Sequence, residues 1–304
     1  MKSDIEVSKY HTYTGHKDCL YTLERIDDSR FVSSGADGMV VLWDLKDLSS
    51  GRMIAKIPSS CYALRYLPEK NQLIVGQNFE GIHIISLDEK REIGSLKLGD
   101  AAIFDIQVDG SDAFIATGDG QIHQVDLDQL IVVKRLAPSY QSARTISLTE
   151  EYLIVGFSDN FVRVFDRGQE LQLVTEFEAH SISVFSTQVD HDRGLLITAS
   201  RDAHVKAWSL GSWEEKKDVV AHMYAINHIA YSLDNRHFVT CSMDKSIKVW
   251  DAETFRLLKV IDKARHAGHG TSVNKLLWMP YQNFLVSCSD DRSIAVWDIK
   301  TGDQ

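Results

Sequence analysis

The sequence predicts an all-β fold, a seven-bladed β-propeller of four-stranded antiparallel blades, on three observations. A short stretch recurs along the chain. It recurs at a nearly constant interval. Each copy has the pattern of two strands joined by a tight turn. The clearest copy is 240–251, T-C-S-M-D-K-S-I-K-V-W-D, with close copies at 287–298, 198–209 and 33–44. In the first of these, 238–242 is apolar and β-branched, and 243–246 is turn-forming. Ile247, Val249 and Asp251 then alternate with Lys248 and Trp250, the period of two that marks a strand.

The terminal Trp falls at Trp43, Trp208, Trp250 and Trp297. Weaker copies at 73–86, 114–126 and 153–166 place Ile85, Val125 and Phe165 at the same position. These seven positions are spaced by 42, 40, 40, 43, 42 and 47 residues. A period of that size ending in Trp-Asp marks a four-stranded propeller blade. On these residues the sequence resembles the WD-repeat β-propeller family over essentially the whole chain, most closely in units one, five, six and seven. One domain over 1–304 is expected, with units ending near 44, 86, 126, 166, 209, 251 and 298.

The elements follow in order. Residues 5–14 read as a strand that no blade precedes, while the chain stops soon after Trp297-Asp298 with no outer strand for the last blade. The N-terminal strand is therefore expected to pair in that blade and close the ring, as members of this family do, because an open ring would leave an unpaired flank. Each unit then has an inner strand, such as 20–25, 226–231 or 273–278, and a polar turn, such as 27–29, 190–194 or 234–236. The paired second and third strands come next, then a more polar outer strand, such as 52–57 or 91–98. The longer last interval places an extra loop around 262–266.

Seven such units use nearly all of the 304 residues, which leaves no room for a separate catalytic domain. The net charge of −10, from 43 acids against 33 bases, argues against a surface that tracks phosphates, so no direct nucleic-acid contact is expected. The same balance favours a partner with basic residues. Cys19, Cys61, Cys241 and Cys288 show no paired spacing and read as reduced thiols. No signal-peptide core and no membrane-spanning run occurs, so a soluble, cytoplasmic protein without membrane contact is expected, a monomeric propeller within a larger complex.

Four units share a fixed set: His16, Ser33, Asp37 and Trp43; His180, Thr198, Asp202 and Trp208; His222, Thr240, Asp244 and Trp250; His269, Ser287, Asp291 and Trp297. Ser, His and Asp together call a catalytic triad to mind. The donor inventory argues otherwise. Indole only donates and carboxylate only accepts, so Trp can donate to the hydroxyl, the hydroxyl to His, and His to Asp. The hydroxyl proton is then already used. Four copies also fit a repeated structural device, and the family resemblance implies that role. No catalytic residue is expected. Units two, three and four lack the set, so apolar packing must hold them, and they should be the less stable half. His266 and His269 have a metal-chelating spacing, but the tetrad claims His269. Gly118-Asp119-Gly120 sits in a strand-to-strand turn without a following helix. Neither a metal nor a cofactor is expected.

A propeller's function lies on its faces. The fifth residue after each tetrad His position gives Tyr21, Tyr62, Phe104, Arg144, Phe185, Asn227 and Asn274, beside a small apolar column of Leu20, Cys61, Ile103, Ala143, Val184, Ile226 and Val273. The small column reads as core, and the first points toward the rim. The residue before each turn Asp joins the same face: Ala36, Ser158, Arg201, Met243 and Asp290. Four aromatics and an Arg have the composition of an interface hot spot. The competing reading is that aromatics at a strand start pack against neighbouring blades. The family resemblance implies a non-enzymatic scaffold or adaptor that docks a protein or peptide on this face. The rival readings are a subunit of an RNA- or chromatin-handling complex and a propeller enzyme or metal-binding protein using the central channel.

Overall fold

The computed structural model describes residues 5–300. Seven four-stranded antiparallel sheets account for nearly all of them, the blades of a seven-bladed β-propeller. The chain divides into two compact units, one holding the residues up to Ile57 and from His222 onward, the other Pro58–Ala221.

In the first unit, one sheet runs Leu20–Arg25, Arg30–Gly35, Met39–Asp44 and Asp47–Lys56, and a second runs Ile226–Tyr231, His237–Ser242, Ile247–Asp251 and Leu257–Ile261. The third holds Val273–Trp278, Leu285–Ser289 and Ser293–Lys300, and its outer strand is Glu6–Thr14. Glu6 pairs with Lys300 and Thr14 with Ser293, so the N-terminal strand completes the last blade. That pairing satisfies the backbone groups of a strand that would otherwise be a sheet edge.

In the second unit, the first strands of the four sheets are Leu64–Leu67, Ile103–Asp109, Ala143–Leu148 and Val184–Asp190. The outermost are Arg91–Lys97, Ile131–Leu136, Gln172–Glu178 and Glu215–Val220. Second strands are the most apolar, because sheets cover them on both faces. Leu153–Phe157 and Leu196–Ser200 are buried throughout. Ile85, Val125 and Phe165, which stand where other blades carry Trp, are buried too, each opposite a buried residue of the second strand: Leu73, Ala113 and Leu153.

Two element boundaries differ from the sequence reading. The outer strand of the first blade is Asp47–Lys56 and starts before Arg52, because Asp44 Oδ1 accepts from Lys46 N at 3.0 Å and pairing resumes at once. The extra residues before the last blade form a short helix, Lys263–His266, and not an irregular loop. Asp262 caps it, its side chain accepting from Arg265 N at 2.8 Å, and Ala267 ends it at φ 53°.

Candidate interaction face

The four sets of His, hydroxyl, Asp and Trp each form one hydrogen-bonded chain. Trp Nε1 donates to Ser33, Thr198, Thr240 and Ser287 at 2.8, 3.0, 2.9 and 2.8 Å. Those hydroxyls meet His Nε2 at 2.8, 2.8, 2.7 and 2.8 Å. His Nδ1 then meets the turn Asp at 2.9, 3.1, 2.8 and 2.9 Å. Each Asp also accepts the backbone N–H just after the His, from Lys17, Ser181, Met223 or Gly270. The chain therefore bolts the loop before the first strand to the turn between the second and third. Burial pushes Asp202, Asp244 and Asp291 up, but the bonds from His and the backbone outweigh it and hold all three well below the usual carboxylate range. Burial lowers His16 and His222, against the pull of their aspartates, and keeps both rings neutral.

The blade of Ala143–Leu148 replaces this device. Asp159 stands at its turn position, with Val155 where the hydroxyl would be. Ser139 Oγ donates to Asp159 at 2.7 Å in place of His, and Arg163 pairs with Asp159 and with Glu176, both at 2.8 Å.

With those loops anchored, the first strands begin in a common way. The column Leu20, Cys61, Ile103, Ala143, Val184, Ile226 and Val273 is fully buried. Its neighbours Tyr21, Phe104, Arg144, Phe185, Asn227 and Asn274 are each skipped in the pairing with the second strand, so all six are the extra residue of a β-bulge. Tyr62 lies just ahead of its strand, Leu64–Leu67. A bulge releases one residue from the ladder and re-aims its side chain. All seven side chains are partly exposed.

The column has two chemical characters. In the second unit it is an aromatic–Arg series. The Tyr62 and Phe104 rings lie 5.5 Å apart, and the Arg144 guanidinium sits between Phe104 and Phe185, 4.2 and 4.7 Å from their centroids. Exposed Arg201 stands on the turn of the neighbouring blade, close enough to act on Arg144 by its charge. In the first unit the column is an amide brace. Asn227 Nδ2 donates to Val273 O at 2.8 Å and Ser272 Oγ at 2.9 Å, and Asn274 Nδ2 to Leu20 O at 2.7 Å and Asp290 Oδ1 at 2.6 Å. Each asparagine ties its blade to the next, and Asn274 also holds the turn of its own blade at Asp290.

Large apolar side chains stand exposed on the same loops and turns. In the first unit they are Met223, Tyr224 and Met243, with Met223 81% exposed; Met243 N donates to Ala225 O at 2.9 Å, so loop and turn form one surface. In the second unit they are Phe79, Tyr140 and Ile182, with Tyr140 fully exposed. Sequence reasoning found Met243 and missed the others. Met223 and Tyr224 follow directly on a tetrad His, and that position was the available signal. At the opposite ends of the blades, Leu233 is the exposed large apolar side chain among the described residues; the remaining ones lie on outer strands. Ala36, Ser158 and Asp290 are partly exposed on their turns. Also among the described residues, no group of three or more His, Cys, Asp and Glu side chains is placed to hold a metal ion.

The model of the WD domain, G-beta repeat, matches residues 7–44, 171–209, 213–251 and 262–298, half of the chain. The chain belongs to the WD40 repeat family. Each of the four matches contains one complete tetrad. The WD repeat-containing protein 26 homolog of Arabidopsis thaliana is 22% identical over 82% of this chain and 44% of its own length. Eukaryotic translation initiation factor 3 subunit I of Coccidioides immitis is 28% identical over 69% of the chain and 56% of its own length. The DDB1- and CUL4-associated factor 11 homolog of Caenorhabditis elegans is 29% identical over 38% of the chain and 22% of its own length. The chain thus spans about half or less of these relatives. Among solved structures, the WD40 β-propeller domain of Doa1 superposes with a TM-score of 0.84 at 19% identity, covering 96% of each chain, which supports the fold.

Proposed function

We propose that the chain docks a segment of a partner protein on the blade ends that carry the loops before the first strands. The contact centres on the series Tyr62, Phe104, Arg144 and Phe185. The observation that carries this reading is the bulge at Phe104, Arg144 and Phe185, which lifts each out of the ladder and leaves it partly exposed at the blade start. Aromatic side chains and Arg give large contact area at low entropic cost and dominate interface energetics. The exposed Phe79, Tyr140 and Ile182 around the series enlarge the apolar surface, and exposed apolar surface of this kind marks interaction sites. One relative is named for association with DDB1 and CUL4, which supports an adaptor role for this chain within a larger complex. We extend the proposal to a reduced, cytoplasmic setting, consistent with four free thiols.

The test is affinity capture from the native cell extract with the wild type and with the triple variant Tyr62→Ala, Phe104→Ala, Phe185→Ala, once circular dichroism shows both folded. A protein retained by the wild type and lost by the variant supports the reading. Equal retention by both moves the docking site elsewhere. A second reading, a subunit of an RNA-handling assembly, draws on the translation initiation factor among the relatives. In that case contact with nucleic acid is indirect, and a steep salt dependence of RNA binding by the isolated chain would contradict it.

A further inference from the structure

We propose that Arg144 is the receptor for a carboxylate: the partner segment docked on this face carries an Asp or Glu side chain that pairs with its guanidinium. The inference rests on the docking reading above and adds the chemistry of what is docked.

The chain contains its own standard of comparison. Arg163, like Arg144, lies between two phenylalanines, 4.8 Å from the Phe157 centroid and 5.4 Å from that of Phe161. Its charge is answered inside the blade by Asp159 and Glu176, both at 2.8 Å. Arg144 has the two aromatic neighbours without the acids. Among the described residues no carboxylate pairs with it, and its buried Nε has no hydrogen-bond acceptor. A desolvated guanidinium without a counter-charge is a costly arrangement for a fold to keep. Burial lowers its pKa, opposed by Tyr62 and reinforced by Arg201, which again describes a positive centre short of negative charge.

The donor also fixes what fits. With the Phe104 and Phe185 rings 4.2 and 4.7 Å from it, the guanidinium still offers a planar fork of N–H groups, and the matching acceptor is a planar carboxylate approached side-on. Exposed Arg201 adds a second positive charge at the same place. This local sign is opposite to the net charge of −10, which taken alone favours a basic partner. A nucleic-acid backbone is the poorer match, because tracking phosphates needs many cations and this site offers two.

The test is selection of a random twelve-residue peptide display library on the immobilised full chain, followed by titration of the enriched peptides against wild type, Arg144→Gln and Arg144→Lys. The expected result is a shared Asp or Glu. Its replacement by Gln or Asn weakens binding to the wild type at least tenfold. Arg144→Gln has the same effect, the two changes together cost no more than one, and Arg144→Lys does not restore the loss. The peptide-side replacement is measured on unaltered protein, so it decides the matter even if Arg144→Gln fails to fold. Enriched peptides without an acidic residue, or with one that can be neutralised at no loss, overturn the carboxylate site. If those peptides still depend on Tyr62 and Phe104, the docking reading survives that failure. Tenfold tighter binding of the peptide with phosphoserine in the acidic position assigns a phosphate instead and likewise overturns it. A library that enriches nothing overturns both readings.

Discussion

Trp250 Nε1 donates to Thr240 Oγ1 at 2.9 Å, and that hydroxyl in turn faces His222 Nε2 at 2.7 Å. All three groups are buried, so none has water as a substitute. Thr240→Val keeps the shape and removes the hydroxyl, leaving an indole N–H and an imidazole nitrogen unsatisfied. We expect a loss of about 1–3 kcal/mol in urea-induced unfolding. Trp250→Phe in the same chain should be coupled to it. The double variant then costs clearly less than the sum of the singles, and simple additivity would contradict a continuous chain of bonds.

The blades without this device should open first. Val75, Ile115 and Val155 stand where the hydroxyls would be, so these blades lack the buried Trp–hydroxyl–His–Asp chain and rely more on packing. Hydrogen exchange under native conditions should be faster in Gln72–Gln77, Asp112–Thr117 and Tyr152–Phe157 than in His237–Ser242 and Leu285–Ser289. Asp159, held by Ser139 and Arg163, should make Tyr152–Phe157 the slowest of the first three.

Acid should destabilise the chain in two stages. His16 and His222 have lowered pKa values and are neutral in the fold, so the unfolded state binds the extra protons below its ordinary value of about 6.5. Stability therefore falls as pH drops through that range. Asp202, Asp244 and Asp291 have pKa values held low by the fold. Their contribution is complete above about 4, the ordinary carboxylate value, and is lost progressively below it. Unfolding midpoints measured from pH 8 to 3 should decline throughout, and a midpoint that rises between pH 7 and 5 would contradict the neutral histidines.

The tetrads were legible because four copies keep the same spacing, and spacing is a property of the chain alone. The buried column was legible for the same reason, since Leu20, Ile103, Val184 and Val273 recur in step. The divided character of the other column was not. Asn227 and Asn274 carry the same residue name as many surface asparagines, and only the positions of Val273 O and Leu20 O show their donors to be consumed. Likewise, the sequence marked Arg144 as a member of the column, but its lack of an acid depends on which carboxylates other blades bring near. The turn at 263–266 was missed because four residues are too short for a helical period, although Asp262 followed three residues later by Arg265 N is an ordinary cap.

Buried thiols should be inert. Burial pushes the Cys241 and Cys288 thiols far up, and both side chains are inaccessible in the folded chain. A thiol reagent at pH 8 should leave both unmodified until denaturant unfolds the protein. Modification of either at the rate of a free thiol would show that these blades open readily.

The claim that the loops before the first strands form the docking face is tested most directly by site-specific photo-crosslinking in cells that make the protein. A photoreactive phenylalanine analogue would replace Tyr140 or Tyr224 on that face, Leu233 at the opposite blade ends, or Leu173 on an outer strand, all exposed in the free chain. The account predicts a discrete protein adduct from Tyr140 or Tyr224 and none from Leu233 or Leu173. Adducts that form only from Leu233 or Leu173 would contradict it.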